Sequence, residues 1–117
     1  MKIKKLKPSE IFAAAQKVFK RYAWVQNVYE DGNFGDVRPA YCLIGACNKV
    51  KNLPSIDSSA LHAVNKDITP FLVRAIKNKF GVKVTEPEAF NDAETTKRKD
   101  VLAVLKEAEA LAKAKGK

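Results

Sequence analysis

Thr95-Thr96-Lys97-Arg98-Lys99 sets two hydroxyls and three cations at what should be the first turn of a helix. The amino end of a helix carries partial positive charge of its own, so first turns ordinarily hold Asp or Glu. When cations gather there instead, they converge with hydroxyls and exposed amides in the way a phosphate or carboxylate site is built. The competing reading is charge balance. Asp92, Glu94 and Asp100 flank the cluster, and exposed pairs of that kind are common and weak. A second basic group comprises Lys2, Lys4, Lys5 and Lys7 with Lys17, Lys20 and Arg21, against Glu10 alone in the first 25 residues. Such a surface attracts nucleic acid, an acidic protein or anionic lipid, and binding to phosphates would weaken steeply with salt. No recognition helix, zinc knuckle or aromatic RNA motif accompanies it. Lys17, Lys20, Arg21, Lys97, Arg98 and Lys99 are therefore the candidate residues for an anion or a partner.

Catalytic chemistry has little to stand on. No serine sits near a histidine in a nucleophile elbow, and no Gly-rich phosphate loop of the common types occurs. Glu86, Glu88 and Asp92 are the clustered carboxylates able to do acid–base work, and surface solvation explains them better. His62 has no carboxylate or cysteine at ligand spacing. Cys42 and Cys47, five residues apart on one helix, would point about 140° apart at roughly 100° per residue, with Cα atoms too distant for a disulfide. They read as buried, inert thiols. No catalytic residue, metal site or cofactor is expected.

The 117 residues hold 22 Lys and Arg against 13 Asp and Glu, a net charge of +9, which favours acidic partners. Hydrophobic residues, at 46%, suffice for the core of one domain. No apolar run approaches a membrane span, and Lys17, Lys20 and Arg21 interrupt any signal core behind the basic start. A cytoplasmic, membrane-free protein is the expectation. Oligomeric state is not legible.

The elements that must position these residues centre on Ala40 to Cys47, an uncharged run with no polar face. A segment apolar all round has to be enclosed, so it reads as a central helix over residues 40–50, opened by Pro39. Before it, Ser9 offers a cap for a helix with Ile11, Ala15, Val18, Phe19 and Tyr22 on one face. Trp24 has two readings: the helix ends near Ala23 and the indole turns inward, or it is an exposed aromatic among cations, as single-strand binders use. Residues 28–37 suggest a short hairpin or an ordered loop around Asp31-Gly32. Asp57-Ser58-Ser59 can cap a third helix carrying Leu61, Val64 and Ile68 inward. Thr69-Pro70 restarts or kinks it, burying Leu72, Ala75 and Ile76 before Gly81 ends it. Thr85 to Glu88 has capping-box spacing for one turn through Phe90. The last helix has the clearest period: Val101, Val104, Leu105, Ala108, Leu111 and Ala112.

Taken together, Trp24-Val25-Gln26, Cys42-Leu43-Ile44-Gly45-Ala46, Phe90-Asn91-Asp92 and Thr96 through Asp100-Val101-Leu102 to Leu105 resemble a family of small uncharacterised proteins of bacteria and their phages. That family's pattern is Trp-x-Gln-Gly, Cys-Leu-x-Gly-Ala, Trp-Asn-Asp and Thr-x-x-Asp-Val-Leu. The present chain has Asn27 in place of the Gly, Phe90 in place of the Trp, and a heavier lysine excess. The resemblance spans most of residues 10–110 and implies a domain of unknown function, often phage-borne, with no assigned activity. It draws Trp24, Gln26, Asn91 and Asp92 together as a polar cluster over the central helix. That cluster is either a site or a buried hydrogen-bond set tying helix ends.

The resulting expectation is a mainly α protein of about four helices in one domain over residues 1–117. Residues 1–8 form a basic arm, and 113–117 a frayed basic tail. Its expected function is non-enzymatic binding of an acidic macromolecule in a phage-borne or accessory role, with a host protein as the favoured partner. Nucleic-acid binding is the alternative, and an enzyme using Gln26, Asn91 and Asp92 the second.

Overall fold

A computed structural model describes residues 6–26, 30–31, 40–51 and 65–117. Along the chain these form α1 (Pro8–Arg21), β1 (Ala23–Trp24), β2 (Glu30–Asp31), β3 (Ala40–Tyr41), α2 (Leu43–Lys51), α3 (Thr69–Phe80), α4 (Pro87–Asn91) and α5 (Arg98–Ala114). The protein is mainly helical. Residues 1–5 of the basic arm, the expected hairpin segments 28–29 and 34–37, the cap at Asp57, and Leu61, His62 and Val64 lie outside the described residues.

The two longest helices run antiparallel. The Ser9 amide donates to the Lys117 carbonyl at 3.3 Å, Gln16 Nε2 to Glu109 Oε1 at 2.8 Å, and the Arg98 guanidinium to the Phe19 carbonyl. α5 also packs on α3, and α1 on α2. From α1 the core takes Ile11, Phe12, Ala15 and Phe19; from α3 Leu72, Ala75 and Ile76; from α5 Val101, Val104, Leu105, Ala108 and Ala112. Period-3.6 reading anticipates nearly all of these. Phe12 is the addition, fully buried with its ring edge-on to Phe71.

The central stretch is enclosed as expected, every residue from Tyr41 to Cys47 being buried. Its conformation differs in one respect. Ala40 and Tyr41 are a strand and not a first helical turn, so the helix begins at Leu43. β3 is the middle strand of a small sheet, parallel to β1 (Ala23 opposite Ala40, Trp24 opposite Tyr41) and antiparallel to β2 (Glu30 opposite Tyr41). An apolar run with no polar face satisfies a buried strand as well as a buried helix, so periodicity cannot divide it.

Several ends are also set differently. Lys7, not Ser9, precedes α1: the Glu10 carboxylate accepts from the Lys7 amide at 2.8 Å, and Pro8 occupies the first turn, where it lacks no needed donor. Ser9 is buried inside the helix. The Thr69 hydroxyl caps nothing ahead of it and donates back to the Asn65 carbonyl at 2.9 Å. Gly81 ends α3 in the left-handed region, φ 69°, as its position implies. Gly116, also at φ 69°, ends α5 the same way: Lys117 N–H reaches the Ala112 carbonyl and Gly116 N–H the Lys113 carbonyl.

Candidate functional site

The polar cluster assembles at the amino end of α2. Asn91, the last residue of α4, is wholly buried, and its amide makes four hydrogen bonds. Its Oδ1 accepts from Trp24 Nε1 at 2.7 Å and from the Leu43 amide at 3.0 Å. Its Nδ2 donates to the Val25 carbonyl at 3.1 Å and to Asp92 Oδ1 at 2.9 Å. Gln26 Nε2 donates to the carbonyls of Asn91 (3.0 Å) and Ala93 (2.9 Å). α1 therefore ends at Arg21, and Trp24, on β1, turns inward against the core; of its two readings, the inward one holds.

Each bond answers a local need. Leu43 N–H is an orphan donor of the first turn of α2, and no Ser, Thr or Asp precedes it. Asn91 supplies the missing acceptor from another element. Cys42 assists: its Sγ accepts from Gly45 N–H at 3.2 Å. Burial raises the Cys42 thiol to about 11 and the Cys47 thiol to about 12, so both are protonated at neutral pH. Both are free.

The basic turn at residues 95–99 is built differently from the anion cradle its composition suggests. Thr96 is buried, so its hydroxyl is not presented outward. The Lys97 amide is taken by Asp100 Oδ2 at 2.9 Å. Arg98 bonds to the Phe19 carbonyl in the last turn of α1, whose partial negative charge suits a guanidinium. The cations that oppose their own helix dipole are thus placed beside the complementary pole of an antiparallel neighbour. This contact also brings the last turn of α1, with Lys20 and Arg21, beside the first turn of α5, with Lys97 and Lys99. These four and Lys17, one turn earlier on α1, are all exposed. Among the described residues none of these five makes an ion pair, and Arg21 lies over the Tyr22 ring at 6.0 Å.

A second polar cluster carries no sequence signal. Lys51 Nζ donates to Asp67 Oδ1 at 2.9 Å and to Asn65 Oδ1 at 3.2 Å, while Asn65 Nδ2 donates to Asn48 Oδ1 at 3.0 Å. Asn65 is buried and the Lys51 side chain is 13% exposed. These four residues fasten the end of α2 to the turn before α3. Lys51 and Asn65 stand 14 positions apart in the sequence, so no spacing rule connects them.

Among the described residues no helix is long and apolar enough to cross a membrane, and no group of three His, Cys, Asp or Glu is placed to hold a metal. The architecture is that of a small, mainly helical protein with a saturated amide knot inside and an exposed cationic end, without ion pairs among the described residues, outside. Over residues 4–111 the chain matches the family of unknown function DUF6197, and it belongs to that family. No curated protein and no solved structure matches it.

Proposed function

We propose that this protein is a non-enzymatic binding module, phage-borne or accessory, that engages an acidic macromolecule, a host protein before a nucleic acid. The observation that carries the reading is the joint end of α1 and α5, where Lys20, Lys97 and Lys99, with Lys17 one turn earlier, make no ion pair among the described residues. Exposed cations gathered from two helices raise the local potential and steer an oppositely charged surface toward it. The resemblance to small phage-associated proteins supports a host protein as the target, because interference with a host process needs a surface and not a pocket.

Of the residues in the enzyme reading, Gln26, Asn91 and Asp92, the Asn91 amide is committed to the fold. An amide whose two acceptor and two donor positions are all engaged inside the fold has none left for a substrate.

The test is affinity capture from bacterial lysate, with and without nuclease, by the native chain and by a K17E/K20E/K97E/K99E variant with an unchanged thermal melt. Capture of an acidic protein that survives nuclease and disappears with the variant is the expected result. Capture that nuclease abolishes would move the assignment to nucleic acid. Equal capture by the variant would remove the basic end from the interaction.

A further inference from the structure

Phe80 and Val82 are the exposed large apolar side chains among the described residues, at 39% and 44%. They flank Gly81, whose left-handed conformation turns the chain out of α3. Single apolar residues on a surface need no explanation; here two flank one fixed turn. The Phe80 ring is held against that of Phe90, centroids 5.0 Å apart, so half of the pair is preformed on the core. A Cβ placed on Gly81 would meet nothing within 4 Å from the rest of the fold, so no other element covers the turn.

The surroundings are mainly cationic, although the Glu107 carboxylate accepts from Asn78 Nδ2 at 3.1 Å. Lys77, Lys79 and Lys83 are exposed, and none has an ion pair among the described residues. The carboxylates next along the chain, Glu86 and Glu88, have partners of their own. An apolar centre with a charged rim is the common anatomy of a protein-binding patch.

We propose that Phe80 and Val82, rimmed by Lys77, Lys79 and Lys83, dock a short acidic-hydrophobic segment of a partner protein. An apolar side chain of that segment packs on the open turn at Gly81 against Phe80 and Val82, and its flanking carboxylates meet the lysines. Charge complementarity makes the occupant anionic. The apolar pair makes it a peptide, because a phosphate backbone offers no side chain to bury. None of the five residues belongs to the basic end of α1 and α5, so this proposal and the preceding one fail separately.

The experiment titrates the full chain into a fluorescein-labelled peptide of Asp and Glu residues interrupted by one Leu and one Phe, read by anisotropy. A control peptide replaces both apolar residues with Ser, and vesicles of phosphatidylcholine and phosphatidylserine form a third arm. V82S and K79E/K83E, neither of which touches the core, should each weaken peptide binding about tenfold with unchanged melting. F80A should weaken it as well, with a lowered melt because its ring packs on Phe90, and K17E/K20E should leave it unaltered. Equal affinity for the all-polar peptide, native affinity in V82S and K79E/K83E, absence of peptide binding, or partition onto vesicles in preference to the peptide would each overturn the proposal.

Discussion

One amide, that of Asn91, is shared among Trp24, Val25, Leu43 and Asp92, and no other residue type of that size offers two donors and two acceptors at once. Asn91→Ala strands the buried Leu43 amide and Val25 carbonyl and should cost about 3 kcal/mol in urea unfolding, whereas Trp24→Phe, which keeps the aromatic body, should cost about 1 kcal/mol. A midpoint for Asn91→Ala no lower than that of Trp24→Phe would show that the knot does not hold α2. Burial sets the thiols in the same region. With ordinary values near 9.0 raised to about 11 and about 12, Cys42 and Cys47 stay protonated in the native chain while the unfolded chain ionises. The stability they confer is complete below about pH 9 and is lost as pH climbs through the folded values. Native protein at pH 8 should leave a disulfide reagent nearly unreacted until denaturant is added, and prompt native colour would contradict the burial. The four knot residues were legible through the chain's resemblance to a family. Their partners were not, because a backbone amide waiting for an acceptor leaves no trace in residue types.

At the level of elements, the joint between α1 and α5 rests on buried apolar faces with a few directed contacts. Arg98 is the contact that explains an otherwise adverse first turn, and Arg98→Ala should destabilise by about 1 kcal/mol or less, seen as a small drop in the melting midpoint. Arg98→Lys should restore only part of it, since an ammonium keeps the charge but not the planar fork. A melt unchanged in Arg98→Ala would leave the run 97–99 without a structural account. Gln16 and Glu109 make a second contact, and Lys113 and Gln16 together hold the Glu109 carboxyl below its ordinary range. Amphipathic periods made α1, α3 and α5 readable from sequence. The start of α2 was not, because Ala40 to Cys42 are as apolar as the helix they precede, and a sheet formed with distant Ala23 and Glu30 decides their conformation. The Asn48, Lys51, Asn65 and Asp67 cluster escaped for a similar reason. Each is an ordinary polar residue until folding closes the gap.

For the molecule as a whole, the net charge of +9 sets how any association responds to salt. Nucleic acid held through six or more phosphates would lose about a thousandfold in affinity between about 50 and about 200 mM salt, whereas a protein partner with screened rim charges should lose far less. A titration of the captured complex over that range therefore separates the two readings, and a thousandfold loss would exclude the protein partner. One feature of the interior extends this to dynamics. The sequence has a single tryptophan, and its indole N–H is bonded to Asn91, where strand β1, helix α4 and the start of α2 meet. Its emission is consequently a gauge of that junction alone, while ultraviolet ellipticity follows the long helices. If the junction opens before the helices melt, the two optical curves will part on heating, with the tryptophan moving first.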